Sequence, residues 1–259
     1  MSAPSQSQGV VTAVLVKPVR HEPMTSVPAA DVKARSGFVG DCHAQPLGPR
    51  QVLIVREESL RGLGVQPWQV RANIALRGFE EAALSSGRVL RFGGDVVIRI
   101  THECEVCKVL RDYVPAETFK HLVGRRGSLG VFLEGGTVAV GQSVEVAAAR
   151  YPEVPESIFD RLAWAVKRIP LGKVVTYDRL LTLVGASKPY FRVMPTYLKR
   201  ADGAGLPAHR VLTSAGSITG HLAAQRDRLL AEGVAVTKDG LVDVRAAGWD
   251  ARTLYVQCA

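Results

Sequence analysis

The sequence predicts two domains of different class, a β-rich domain over residues 1–150 and a largely helical one over residues 151–259. Three observations carry this prediction. Short apolar or alternating runs bounded by Gly and Pro fill the first half. A proline-rich break, Tyr151-Pro-Glu-Val-Pro-Glu156, follows, where neither strand nor helix continues easily. Apolar residues at helical spacing then appear, together with a concentration of basic charge. With 259 residues, 47% of them hydrophobic and 22% charged, the chain has the composition of a globular protein with a real core.

The elements can be justified in order. Val10–Val16, Gln51–Val55, Val96–Thr101, Thr137–Val140 and the alternating Ser143–Val146 read as strands, with a short helical piece around Glu80–Ser85. Beyond the break, Ile158, Leu162, Ala165, Val166 and Ile169 lie on one helical face, and Pro170-Leu-Gly172 stops that helix. Two more helical segments are expected at Tyr177–Val184 and near Pro189–Arg200, separated by Gly185-Ala-Ser187. Two short helices joined by a glycine-containing turn suggest a helix-turn-helix.

Composition excludes several classes. No apolar run is long enough to span a bilayer, and Met1–Gly9 lacks the basic start and apolar stretch of a secretory signal, so no membrane partner is expected. Cysteines 42, 104, 107 and 258 are too scattered for a disulfide framework, and a reduced, cytoplasmic protein is the expectation. The net charge is +9, and residues 161–210 alone hold ten Lys/Arg against Asp178 and Asp202, a local balance of +8. Such a segment attracts a polyanion through counterion release, although a merely solvated basic face remains the plain alternative.

The tetrapeptide Pro207-Ala208-His209-Arg210 gives this charge a meaning. With Ile169-Pro-Leu-Gly-Lys-Val-Val-Thr-Tyr177, Ala231-Glu-Gly233 and Trp249, it resembles the O6-alkylguanine-DNA alkyltransferase family, whose active-site motif is Pro-Cys-His-Arg. Alanine stands here at the position of the nucleophilic cysteine, as in the alkyltransferase-like group of that family. The resemblance implies a winged helix-turn-helix that binds double-stranded DNA containing O6-alkylguanine, flips the base into a pocket and transfers nothing. It also implies hand-over to nucleotide excision repair proteins and a nucleoid-associated location. Arg192 matches the arginine finger that fills the gap left by the flipped base, and Tyr177 the tyrosine that helps rotate the nucleotide. Ala208 would underlie the base. His209 and Glu232 match the pair that activates the thiol in active relatives, and either could equally be structural here. Arg210 would fix the loop, and Thr213 to Ser217 would form the lip over the base. One departure stands out: Pro195 and Tyr197 occupy a stretch where the family has small residues. A proline inside a regular helix costs about 3 kcal/mol, so a kinked recognition helix with impaired groove docking is expected.

Gly37-Phe-Val-Gly-Asp-Cys-His-Ala44, Arg50-Gln-Val-Leu-Ile54, Ala72-Asn-Ile74, Ile100–Val109, Gly127–Phe132 and Thr137–Gly141 resemble the MOSC family, with Ala72 where that family usually has Glu. This resemblance implies a β-barrel-like fold. It also implies a role in molybdenum-cofactor (molybdopterin) binding, sulfur transfer, or reduction of N-hydroxylated compounds. Cys107 matches the hallmark cysteine, a soft ligand for molybdenum and a nucleophile. Cys104 would be a resolving thiol. Asp41, His43, Arg50, Asn73 and Lys108 are the cofactor-binding candidates. A mixed zinc site using His43 or His102, or an inert buried cysteine pair, are the competing readings of Cys104-x-x-Cys107.

Two further whole-chain readings compete with a lesion reader fused to a MOSC enzyme. One is a cofactor carrier or sulfur-transfer protein whose C-terminal domain no longer binds DNA. The other is a pure lesion sensor whose first half is a platform.

Overall fold

The computed structural model describes residues 8–20 and 22–257; Cys258 and most of the N-terminal segment Met1–Gly9 lie outside them. The chain divides into two compact units, one running to Val154 and taking in the residues from Tyr255 onward, the other spanning Pro155–Leu254. The break thus falls inside the proline-rich segment, four residues beyond the expected position.

The first unit contains β1 (Gln8–Val16), β2 (Thr25–Val27), β3 (Ala29–Lys33), β4 (Gly37–Phe38), β5 (Val52–Arg56), α1 (Glu57–Leu60), β6 (Ile74–Arg77), β7 (Val89–Phe92), β8 (Val96–Glu103), α2 (Ala116–Phe119), β9 (Ser128–Glu134), β10 (Gly136–Ala139) and β11 (Ser143–Val146). Seven strands close into a barrel in the order β1-β11-β7-β8-β9-β5-β6 and back to β1, with β2 added on β1. Every pair in the closure is antiparallel except β5–β6. Strands β10, β3 and β4 make a smaller sheet.

Period-two alternation decides what each strand covers. In β5, Ile54 joins the core with Ile74, Leu76, Phe92, Ile98, Ile100 and Phe132, whereas Leu53 and Val55 face a second apolar cluster with Val70, Ala72, Ala75, Cys104, Leu110 and Leu122. Because β5 is buried on both faces it reads as a continuous apolar run. Ala72, placed where the related family has Glu, is fully buried in that second cluster. Gly127 (φ +105°) lies so close to the barrel wall that a Cβ would come within 2.3 Å of the Ile54 carbonyl oxygen. Its own carbonyl accepts from Cys104 N, which fixes the end of β8. Arg99 is buried in this unit and donates to the carbonyls of Pro152 and Tyr255, tying both chain segments to β8.

The second unit contains α3 (Ile158–Lys167), β12 (Val175–Thr176), α4 (Tyr177–Leu183), α5 (Met194–Gly203), β13 (Val211–Leu212), α6 (Gln225–Ala231) and α7 (Val244–Ala247), with 3-10 turns over Lys188–Val193 and Ala208–Arg210. Ser157 caps α3 by accepting from Asp160 N. Strands β12 and β13 run parallel, with Val175 opposite Val211, so that Tyr177 leaves one end of the pair and Ala208–Arg210 enters at the other.

Two expectations need correction. The segment near Pro189–Arg200 is not one kinked helix: a 3-10 turn ends at Val193, and α5 begins at Met194 with Pro195 in its first turn. There the missing N–H is one that no helical carbonyl would have received, so the proline starts the helix rather than breaking it. Tyr197 packs edge-on against Phe159 of α3, with ring centroids 5.2 Å apart. The +8 segment is also not a uniform surface. Arg161 is buried and donates to the carbonyls of Val184, Pro155 and Glu156, and partly buried Arg210 donates to the Ile169 carbonyl.

Candidate functional site

The second unit is organised around the carboxylate of Glu232, the C-cap of α6. Oε1 accepts from His209 Nε2 at 2.8 Å and from Arg210 Nη2 at 2.7 Å, and Oε2 accepts from Arg210 Nε at 2.9 Å and from Gly172 N at 3.2 Å. Arg210 also donates to the Ile169 carbonyl at 2.6 Å. Three segments distant in sequence, 169–172, 208–210 and 231–233, are joined by this one side chain. Burial alone would raise the Glu232 carboxyl, but the hydrogen bonds from Arg210, His209 and Gly172 outweigh it and hold the group at about 2. Burial lowers His209, which is therefore neutral at physiological pH and donates from Nε2–H to the ionised carboxylate. That leaves Nδ1 as a buried lone pair with no partner among the described residues. Ala208, beside it, is fully buried and offers only a methyl group.

Gln225 extends the network. Its Nε2 donates to the carbonyls of His209 and Val211, while its Oε1 accepts from the backbone and hydroxyl of Thr219. Two residues on, His221 Nε2 meets the Tyr177 hydroxyl at 3.2 Å. Tyr177 is buried, and burial pushes its hydroxyl up to about 12, so it stays protonated. Its ring meets Phe191 edge-on at 5.6 Å, next to exposed Arg192 on the 188–193 turn. Thr213 and Ser217 hydrogen-bond each other through their hydroxyls at 2.6 Å, closing the loop between them. Ala208, His209, Arg210 and Glu232 are thus gathered directly, and Tyr177 is connected to them through Gln225, Thr219 and His221. Sequence reasoning missed Gln225 and His221, and nothing in their local pattern marks them.

The first unit has an open cleft. Lys17, Asp41, His43, Arg50, Arg71, Asn73, Cys104 and Arg126 are among its lining residues. Asp41 accepts from Lys17 N, Asn73 Nδ2 and His43 N. Burial would raise its carboxyl, but hydrogen bonds from the His43 side chain and backbone and from Lys17 N hold it below the ordinary value. Burial and neighbouring Arg71 lower the Lys17 amine. The thiol in the wall is Cys104, with Arg50 Nη2 3.8 Å from its sulfur. Cys107 and Lys108 are not among the lining residues; Cys107 follows the end of β8, with its sulfur 3.5 Å from Arg126 Nη1. Of the sequence candidates, the cleft therefore assembles Asp41, His43, Arg50, Asn73 and Cys104. Asp41, Cys42 and His43 also bring three donor atoms within 4.8 Å of one another, but Arg71, 3.4 Å from His43 Nε2, and Lys17 on the Asp41 side set positive charge against a bare dication there.

Family models match both halves: the MOSC domain over residues 40–145, and the DNA-binding domain of 6-O-methylguanine DNA methyltransferase over residues 157–234. The DNA base-flipping protein of Escherichia coli (strain K12) is 36% identical over 99 residues, spanning 37% of this chain and 77% of that protein. The chain joins a MOSC domain to an alkyltransferase-like DNA-binding domain. Among solved structures, the YuaD protein of Bacillus subtilis matches at 20% identity with a TM-score of 0.50, over 55% of this chain and 97% of its own, a likeness of fold. Schizosaccharomyces pombe Atl1, solved in complex with damaged DNA containing O6-carboxymethylguanine, matches at 30% identity and a TM-score of 0.32, over 36% of this chain and 94% of its own. Among the described residues no helix is long and apolar enough to cross a membrane.

Within the alkyltransferase-like domain the Glu232 hub has a pH signature. Its folded carboxyl titrates at about 2 against an ordinary value of 4.5, so its contribution is complete above about pH 4.5 and is lost as pH falls toward 2. His209, lowered from 6.5, drains stability in the same direction, beginning as pH falls through its unfolded value. Glu232→Gln should cost about 3 kcal/mol at neutral pH, because Arg210 is left without its counter-charge. It should also flatten the stability profile between pH 4.5 and 2. Urea unfolding followed by tryptophan fluorescence across this range measures both effects.

Proposed function

We propose that the alkyltransferase-like domain binds duplex DNA at O6-alkylguanine, holds the extruded base against Ala208 and leaves the alkyl group in place. The observation that carries this reading is a methyl side chain, fully buried, at the family's nucleophile position, with the His209–Glu232–Arg210 network complete around it. A methyl group has no lone pair with which to attack the alkyl carbon, whereas the supporting network needs no thiol in order to form. The name of the Escherichia coli relative, a DNA base-flipping protein, supports extrusion of the base. Extrusion costs about a few kcal/mol, less for a poorly paired lesion, which favours O6-alkylguanine over guanine. Arg192 fills the vacated position and Tyr177 guides the rotating nucleotide. The bound lesion is then handed to nucleotide excision repair proteins at the nucleoid. Pro195 was the feature favouring loss of DNA binding, and its place in the first turn of α5 removes that support.

For the MOSC domain we propose a cleft that holds a phosphate-bearing, thiol-binding cofactor of the molybdenum type. Arg50, Arg71, Arg126 and Lys17 supply positive charge and Cys104 a soft sulfur ligand, a donor set suited to an anionic molybdopterin. When bound, such a group supplies two-electron redox chemistry or accepts sulfur. Arg50 and Arg126 orient its phosphate, and Asp41, anchored by Lys17 N and Asn73, keeps His43 in place. A shared theme of nucleobase damage, with reduction of N-hydroxylated bases in this half, follows from the fusion of the two domains.

Fluorescence anisotropy with a duplex containing one O6-methylguanine, against the same duplex with guanine, tests the lesion-reader assignment near physiological salt. Selective binding that falls roughly tenfold or more in Arg192→Ala is expected; equal binding to both duplexes contradicts it. Metal and pterin analysis of the purified full chain tests the cleft. Cys104→Ser should lose the cofactor and Cys107→Ser should keep it; the reverse pattern would make Cys107 the ligand.

A further inference from the structure

The turn that carries Arg192 has an unusual composition for a solvated loop. No residue of Lys188–Val193 is buried, yet it holds Tyr190, Phe191 and Val193. Phe191 is 40% exposed and Val193 37% exposed, one on each side of Arg192. Single exposed apolar residues need no explanation, but two flanking a finger residue on a structured turn do. Pro189 fixes the backbone at the start of the turn, and the 3-10 geometry sets consecutive side chains about 120° apart. The side chains next to the arginine therefore diverge to its two sides. Phe191 is on the Tyr177 side, where its ring meets the tyrosine ring edge-on. Lys188, in the turn itself, is exposed like Arg192, and α5, which follows the turn, carries exposed Lys199 and Arg200.

Resting on the lesion-reader assignment, we propose that Phe191 is a stacking wedge. When the nucleotide leaves the helix and Arg192 enters its place, the neighbouring base loses a stacking partner, and the Phe191 ring covers that exposed face. DNA-bending proteins use apolar side chains between base steps in this way, and aromatic stacking is tolerant of sequence because every base offers a π-face. Val193 has no π-face and lines the opposite side without stacking. The occupant of this exposed apolar turn is thus the base stack of duplex DNA, whose phosphates are matched in charge by Lys188 and Arg192 on the turn itself. Phe191 acts alongside Arg192: the arginine supplies charge and hydrogen bonds in the gap, and the phenyl ring restores the stacking that the gap removed.

The test uses the full chain and duplexes with one O6-methylguanine flanked on its 3′ or its 5′ side by 2-aminopurine, whose fluorescence rises when it is unstacked. Wild type should keep the probe quenched at one of the two positions. Phe191→Leu preserves an apolar side chain but not the ring. It should brighten that probe severalfold and weaken binding by about 5- to 160-fold, the range expected for one aromatic–base stack. Phe191→Trp should restore both readouts, and Val193→Ala should change neither by more than about twofold. Because these side chains are exposed, the variants should melt like wild type. Equal loss of affinity in the Leu and Trp variants would reduce Phe191 to a support for Tyr177 and overturn the proposal, as would a Leu variant indistinguishable from wild type. Wild type failing to prefer the lesion duplex would instead remove the lesion-reader assignment, and the wedge with it.

Discussion

One carboxylate holds the alkyltransferase-like domain in its working shape. Glu232 receives donors from Arg210, His209 and Gly172, and through Arg210 it reaches the Ile169 carbonyl. Motif segments far apart in the sequence meet at this side chain. A half-buried carboxylate facing a guanidinium is stable only while every lone pair is used, so losing any member strands the others. The hub also explains how the network can be complete with a methyl group at position 208. The hydrogen bonds at Glu232 run to the side chains of residues 209 and 210 and to Gly172, and the side chain at 208 takes no part in them.

Gln225 is the second structural constraint. Its amide joins the turn before β13 to Thr219, and His221 then places a nitrogen on the Tyr177 hydroxyl. The 208–210 turn and Tyr177 are in this way tied to the same short stretch, Thr219 to His221. Within that turn lies His209, kept neutral by burial, whose buried Nδ1 has no partner among the described residues. In the MOSC domain the corresponding constraint is closure of the barrel. The cleft residues come from the ends of β1, β8 and β9 and from the loops around β5 and β6, so no two neighbouring strands could make the site alone.

The parts of the structure governed by local rules were legible in the sequence. Ser143–Val146 alternates and is β11; Ile158–Ile169 has helical spacing and contains α3; Tyr177–Val184 contains α4. Strands β6 (Ile-Ala-Leu-Arg) and β7 (Val-Leu-Arg-Phe) were not anticipated, since neither run alternates between apolar and polar residues as β11 does. Pro195 was read as a helix breaker because its distance from Pro189 hid the change from a 3-10 turn to a new helix. Cys104 and Cys107 differ by three positions, and it is the fold, not that spacing, that puts Cys104 in the wall of the cleft. Arg99 and Arg161 appear in the sequence as solvent-facing charge, yet both are buried and bind backbone carbonyls that are remote or irregular. Gln225 and His221 gain their roles from long-range contacts that have no sequence period.

The central proposal is that the site around Ala208 keeps its hydrogen-bond network and lacks only an acceptor atom. It is tested most directly by incubating wild type and Ala208→Cys with a duplex whose O6-methylguanine carries a radiolabelled methyl group, then separating protein from DNA under denaturing conditions. In the variant, the introduced sulfur should form a bond to the methyl carbon as the carbon–O6 bond breaks, returning guanine to the DNA and up to one label per protein. With wild type, the label should stay on the DNA while the lesion duplex is still bound selectively in the absence of denaturant. Label on wild-type protein would contradict the account, and so would a folded, lesion-binding Ala208→Cys protein that never acquires it.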